Sequence, residues 1–370
     1  MVLDSGQLKE ALPESDPEME ALVQGLPSEY EMLGKVSTGG MGSIWKVRNR
    51  YTGTEAAIKI LHTEAARSRE AMSRFVIEAK AASTLKHPNI CRVLTFGVTE
   101  GGTSYLIMDW IEGIDLERKL NRDRRITSKE AIPIFQQVAS GLAYAHQNKL
   151  VHRDVKPQNI MLSRDSQGRT EVQIVDFGIA KVMGNEENTV QGQGLTREGM
   201  VVGTPLFMSP EQATAAKVDN RSDIYSFGCV MYYALTGKPP FIGGSAIETV
   251  TKHLTELPAE FPPALKVPAG LKTIIFRTLE KKPEDRYSSM DELLTDLKKL
   301  TKGVSIESRE HAAQRLAKKK NIFIVLCFII GFAITYALTD YLLGMNSPHA
   351  AVKQTQAQGD KKPPERTKQP

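Results

Sequence analysis

The sequence predicts an α+β body followed by one membrane-spanning helix near the C-terminus, and three observations carry that prediction. Between Tyr30 and Ile60, apolar and polar residues alternate on either side of a glycine cluster, the pattern of a strand, a turn and a returning strand. The stretch SRFVIEAKAASTL sets Phe75, Ala79 and Ala82 at i, i+4 and i+7, one face of a helix. Ile322 to Thr339 then runs for eighteen residues without a charge, the length expected of a bilayer crossing.

Length and composition set the frame for these elements. A chain of 370 residues, 41% hydrophobic and 25% charged, can bury a sizeable core and accommodates one large domain with extras. The formal charge of +5 is modest and gathered near the C-terminus, so no nucleic-acid partner is predicted. Cys91, Cys229 and Cys327 are sparse and unpaired in spacing, which suits reduced thiols rather than a disulfide framework or a zinc motif.

In chain order, residues 1–28 read as a flexible acidic leader carrying Pro13, Pro17 and Pro27, with no apolar run behind a basic start. Residues 29–301 form the globular body, 302–320 a basic juxtamembrane linker, 321–344 the transmembrane helix, and 345–370 a polar, Pro-rich, disordered tail. Arg309, Arg315, Lys318, Lys319 and Lys320 precede the span closely, whereas Lys353 alone follows it within about fifteen residues. The positive-inside bias therefore predicts a cytoplasmic body and a short extracytoplasmic tail. An alternative for the apolar run is a buried core helix, but that would be amphipathic and shorter.

Within the body, Gly39, Gly40 and Gly42 would let backbone N–H groups approach phosphate oxygens with no Cβ in the way. A tight turn explains the same glycines equally well. Next, EAAIKIL puts Lys59 inside an apolar strand, where a lone ammonium is expensive to bury, and Glu78 on the following helix is its candidate partner. The decisive stretch is LVHRDVKPQNIML, residues 150–162, taken with VQIVDFGIA, residues 172–180. His152, Arg153, Asp154, Lys156, Pro157 and Asn159 would fall into this order by chance roughly once in tens of millions of starting positions. Phosphoryl transfer needs a carboxylate to orient a hydroxyl, oxygen ligands for a divalent ion, and cations to spread phosphate charge. Asp154, then Asn159 with Asp176, then Lys59 with Lys156 supply those three kinds of group.

On these motifs residues 30–300 resemble the eukaryotic-like Ser/Thr protein kinases, in their bacterial membrane-anchored style. The landmarks arrive in order: the glycine loop, AIK at 57–59, Glu78, HPNI at 87–90, MDWIEG at 108–113, HRDVKPQN at 152–159 and DFG at 176–178. GTPLFMSPEQ at 203–212, DIYSFG at 223–228 and Arg286 in KPEDRY complete the series. The resemblance implies a bilobal fold, with a β-rich N-lobe and a helical C-lobe, that transfers the ATP γ-phosphate to Ser or Thr hydroxyls of protein substrates. It also implies Mg²⁺ as the ion, with Mn²⁺ as an alternative.

By the same resemblance, Asp154, Lys156, Lys59, Glu78 and Thr204 form the catalytic set, with Lys59 paired to Glu78 and Thr204 bridging Asp154 and Lys156. Asn159 and Asp176 would hold the metal. Val36, Ser37, Gly39, Gly40 and Gly42 would cover the nucleotide, Ile44 and Ala57 would stack above the adenine and Met161 below it. Met108 would be the gatekeeper, Asp109 and Ile111 would offer hinge backbone groups, and Asp115 would reach the ribose. Glu211 and Arg286 would form a structural ion pair. Ser37 departs from the pattern, standing where the loop's first glycine belongs. A strained backbone there would weaken nucleotide affinity mildly.

Regulation is read from Arg153 beside the catalytic Asp, the residue that pairs with an activation-segment phosphate in such kinases. Thr196, and second to it Thr189, are the expected phosphosites on the polar stretch between Asp176 and Glu211. Confinement to a membrane would favour self-association and phosphorylation in trans. Two other classes compete. A membrane-anchored pseudokinase acting as a nucleotide-sensing scaffold would normally have lost Lys59, Asp154 or Asp176, and a small-molecule phosphotransferase would lack the GTP…SPE and DIYSFG segments.

Overall fold

Strands β1 (Tyr30–Gly39) and β2 (Gly42–Asn49) form the expected hairpin, with Gly39 opposite Gly42 at its tip. In the computed structural model, residues 27–39, 42–61, 69–99, 102–177 and 205–302 are described. All lie in the first of the two units into which the chain divides, residues 1–306. Strand β3 (Glu55–Leu61) continues the sheet antiparallel to β2 and also pairs with β5 (Ser104–Asp109), which carries β4 (Val93–Val98) at the edge. The order is therefore β1-β2-β3-β5-β4. On one face Trp45, Val47, Ala56, Ile58, Ile60 and Ile107 make a small core of their own. Against the other lies α1 (Arg69–Ser83), where Phe75, Ala79 and Ala82 are buried on the face the heptad-like spacing assigned them.

The helical lobe is organised by α5 (Asn220–Thr236), the DIYSFG helix. Residues 222–232, Ala234 and Leu235 are all buried, so it is apolar around most of its circumference, as a helix at the centre of a domain must be. Asp219 caps its N-terminus and Gly237, at φ 78, closes its C-terminus in the left-handed conformation. Around it pack α3 (Ser128–Gln147), capped by Thr127, α7 (Ala269–Thr278) and α8 (Met290–Thr301), capped by Ser289. The short α2 (Leu116–Asp123), α4 (Pro210–Ala213) and α6 (Ala246–Thr255) complete the helical lobe.

Between the lobes runs a small sheet of β6 (Ile114–Asp115), β7 (Ile160–Arg164) and β8 (Thr170–Ile174). Ile90 bridges in parallel to Ile174, and the Cys91 N–H donates to the Ile174 carbonyl at 2.9 Å, tying the start of β4 to this sheet. Glu211 and Arg286 form the expected ion pair, two N–H···O bonds of 2.7 and 2.9 Å in a site where the arginine side chain is fully enclosed. Arg286 also donates to the carbonyls of Arg221, Glu280 and Lys281, so its charge is compensated on every side. Cys91 and Cys229 are buried free thiols, in line with the expectation of reduced cysteines.

The leader up to residue 26, Gly40, Thr204, Thr189, Thr196, the linker from residue 303, the span at 321–344 and the tail lie outside the described residues. Among the described residues no helix is long and apolar enough to cross a membrane.

Candidate active site

The catalytic loop follows α3 and is held from below. Asp223, in the first turn of α5, accepts the His152 N–H at 2.7 Å and the Arg153 N–H at 2.8 Å. It also takes His146 Nε2 at 2.7 Å. Burial alone would raise the Asp223 pKa, but the hydrogen bond and charge of His146, with His152 behind it, carry it below the usual carboxylate range. Arg153 is thereby fixed at φ 61, an uncommon conformation for a non-glycine residue. Gln212 of α4 donates to the Arg153 carbonyl at 2.9 Å, which joins the segment after residue 205 to the same loop. The buried His152 ring stacks on Phe177 at 4.7 Å, and its Nε2 meets the Val175 carbonyl at 3.0 Å. Burial holds its pKa below the ordinary histidine value.

Above this support the predicted residues converge. Asp154 Oδ2 pairs with Lys156 Nζ at 2.8 Å, while Asn159 Nδ2 donates to the Asp154 carbonyl at 2.8 Å and to Oδ2 at 3.2 Å. The Pro157–Asn159 turn sets this spacing, since Pro at its first position starts a 3₁₀ turn that brings Asn159 back over Asp154. Asp176, at φ 57, turns its carboxylate to Lys59, with Oδ1 2.8 Å from the ammonium.

That last contact corrects an expectation. Lys59 is paired with Asp176, and among the described residues no ion pair joins it to Glu78, which is half-buried on α1. Lys59 needed a partner, as its strand position required, and the left-handed backbone at Asp176 presents one at closer range.

The donor set fits a hard divalent ion. With its amide nitrogen committed to Asp154, Asn159 has its amide oxygen to offer, and Asp176 has a second carboxylate oxygen. Mg²⁺ commonly binds through one or two such protein oxygens with substrate phosphates and water completing the shell.

Pairing places Ala57 opposite Met108 and Lys59 opposite Leu106, so β3 and β5 present the gatekeeper and the lysine to one cleft. Met161 on β7 lies opposite Asp115 on β6. Lys59, Leu61, Met108, Asp154, Asp176 and Phe177 line a common cavity behind this cleft. At the hinge the Asp109 N–H is taken by the Arg92 carbonyl at 3.0 Å, so the Asp109 carbonyl, contacted by the Cys91 thiol at 3.5 Å, is the group it can offer a base. Burial, with Asp109 and Asp176 nearby, pushes the Cys91 thiol up to about 12, so it stays protonated. Asp115 caps α2 through Arg118 N–H at 2.8 Å as well as facing this side of the cleft.

Two loop residues differ from expectation. Gly42 is required by packing, because a Cβ there would overlap the Ile60 backbone oxygen. Ser37 sits in β1 opposite Ile44 after a bulge, exposed, and is not among the positive-φ residues, so the anticipated strain is absent. Ser37→Gly should therefore leave the KM for ATP within about twofold in steady-state kinetics, because a side chain in ordinary extended backbone imposes no steric penalty. A clear fall in KM would show that the hydroxyl obstructs the nucleotide.

Asp223, His146 and Gln212 were not singled out as supports from sequence. Asp223 was visible as the first residue of DIYSFG, but its partners lie about 70 residues earlier in the chain.

The family model described as protein kinase domain matches residues 30–297. Among curated proteins, the chain is 36% identical over 277 residues to the serine/threonine-protein kinase pkn3 of Myxococcus xanthus, covering 74% of this chain and 50% of that protein. It is 35% identical over 284 residues to PknB of Mycobacterium tuberculosis, covering 75% and 44%. It is 37% identical over 268 residues to PknA of the same organism, covering 71% and 59%. The chain thus spans about half the length of the curated relatives it matches. Among solved structures, the PknI kinase domain of M. tuberculosis aligns with a TM-score of 0.55 at 26% identity, over 75% of this chain and 98% of that one. Rad53 residues 1–466 in complex with AMP-PNP aligns with a TM-score of 0.60 at 24% identity, over 76% and 69%, which bears on the fold alone.

Proposed function

The chain belongs to the protein kinase domain family, and from that premise we propose that it is an ATP-dependent serine/threonine protein kinase anchored to a membrane by the span at 321–344. The observation that carries the catalytic reading is the convergence of Asp154, Lys156, Asn159, Asp176 and Lys59 on one cleft. Asp154 orients the acceptor hydroxyl and receives its proton. Lys156 sets a positive charge 2.8 Å from that carboxylate, where it can steady the transferring phosphoryl group. Lys59 grips the α- and β-phosphates. Asn159 and Asp176 hold Mg²⁺, or Mn²⁺ in its place, which bridges phosphate oxygens and offsets their charge. Lys156, rather than an arginine further along the loop, supports Ser/Thr over Tyr specificity.

The anchor is supported by the uncharged run from Ile322 to Thr339 and by the basic residues that precede it, which set a cytoplasmic kinase domain facing a bacterial plasma membrane. Thr196, then Thr189, are the proposed activation-segment sites, modified in trans by a second copy confined to the same bilayer.

The test is phosphate transfer from labelled ATP with Mg²⁺ by the full chain in detergent or lipid nanodiscs, onto itself and onto myelin basic protein. Label on Ser and Thr, absent from Tyr, is the expected result. A wild-type protein that binds ATP and transfers nothing would overturn the enzymatic reading. Carbonate-washed membranes from the expressing cells should retain the chain, and its release would remove the anchor.

A further inference from the structure

A donor chain runs from the C-terminal lobe to the segment that follows residue 204. His253, on α6, is fully buried, and its ring lies edge-on to Phe241 at 4.9 Å. The Tyr225 hydroxyl meets its Nδ1 at 2.9 Å. The Lys281 ammonium, stacked on Phe241 at 3.9 Å, lies 3.4 Å from the same Tyr225 oxygen and 3.4 Å from the Lys252 carbonyl.

An ammonium can only donate, so Lys281 occupies a lone pair of the Tyr225 oxygen and the phenolic proton is directed at Nδ1 of His253. A neutral imidazole that accepts at Nδ1 carries its proton on Nε2. The ring is neutral: burial, aided by the charge of Lys281, pushes its pKa down to about 3. Nε2 is buried with no full hydrogen bond among the described residues, and it faces the backbone of Leu206 and Pro205. A buried N–H left without an acceptor is rare in folded proteins, and the backbone carbonyls are the groups within reach. The segment they belong to is tied to the catalytic loop by Gln212 and lies where residues flanking an acceptor hydroxyl at Asp154 must pass.

We propose that His253 is a positioning residue for protein-substrate binding: its Nε2–H, oriented through Lys281 and Tyr225, holds the main chain of Pro205 and Leu206 in the place the acceptor peptide meets. This rests on the kinase reading above and adds to it a named determinant of acceptor affinity. It assigns His253 no part in the phosphoryl step itself.

The experiment uses the full chain in nanodiscs with myelin basic protein as acceptor. His253→Phe keeps the ring's bulk and removes both nitrogens, and should raise the KM for acceptor about tenfold with kcat and the KM for ATP within about twofold. Tyr225→Phe should raise the same KM by about threefold, and the double variant should be no worse than His253→Phe, because the two act in one chain. His253→Gln, which restores an N–H at a similar reach, should recover most of the loss. A purely structural role would instead lower kcat and Tm together, and additive effects of the two single variants would break the proposed linkage. Either result overturns the proposal. If the wild type transfers no phosphate, the kinase reading fails separately. Hydrogen exchange at the amides of residues 206–208 then decides, with faster exchange in His253→Phe supporting the positioning role and unchanged exchange overturning it.

Discussion

Replacing Asp154 by Asn should lower phosphate transfer about 10³-fold while ATP binding, measured by equilibrium titration, changes by less than about threefold. The substitution conserves size. An amide oxygen at the Oδ2 position can still accept from Asn159 Nδ2, and the loop beneath is held by Asp223 through main-chain N–H groups that Asp154 does not supply. What is lost is the charge that orients the acceptor hydroxyl and the site that receives its proton, neither of which an amide provides. Lys156 loses its ion-pair partner at 2.8 Å and remains available to phosphate, which is why nucleotide affinity should not fall. Transfer retained at more than a tenth of the wild-type rate would mean that proton acceptance lies elsewhere, with Asp176 the other carboxylate in the cleft.

The contrast between Asp154 and Lys59 shows what a sequence discloses about such a site. The catalytic loop is local: Asp154, Lys156 and Asn159 lie within six residues, and the Pro157–Asn159 turn fixes their mutual geometry whatever surrounds it. Their meeting was therefore legible from spacing. So were the β-hairpin at 30–49, the buried face of α1 and the Glu211 to Arg286 pair, the last through resemblance. Lys59 is different, because a strand lysine announces that it needs a carboxylate without saying which. Glu78 and Asp176 were both eligible, and the choice was made by a left-handed backbone at Asp176 that no residue type dictates. Gly42 carries the same lesson in reverse. It reads as a phosphate-loop glycine, yet the approach of the Ile60 backbone, settled by pairing with a strand further along the chain, is what excludes a side chain there.

Asp223→Asn is the second large effect expected, and it tests the support beneath the loop rather than the chemistry above it. The wild-type carboxylate receives three donors, from His152 N–H, Arg153 N–H and His146 Nε2, with no solvent access. An amide has one oxygen for those donors and sets an NH₂ against at least one of them, and each buried donor left unpaired costs about 1–3 kcal/mol. Stability in urea should thus fall by about 3 kcal/mol, and kcat by about 10²-fold as Arg153 relaxes from φ 61 and carries Asp154 with it. The carboxylate's folded pKa lies below the ordinary 3.8, so its contribution is complete above that value and is lost as the pH falls through the lower one. Wild type and Asp223→Asn should accordingly differ in stability throughout the neutral range, with the gap closing on acidification below about 3.8. A variant as stable and as active as wild type would show that the loop keeps its shape without Asp223. Gln212 at the Arg153 carbonyl and His152 against Phe177 would then be the contacts that hold it.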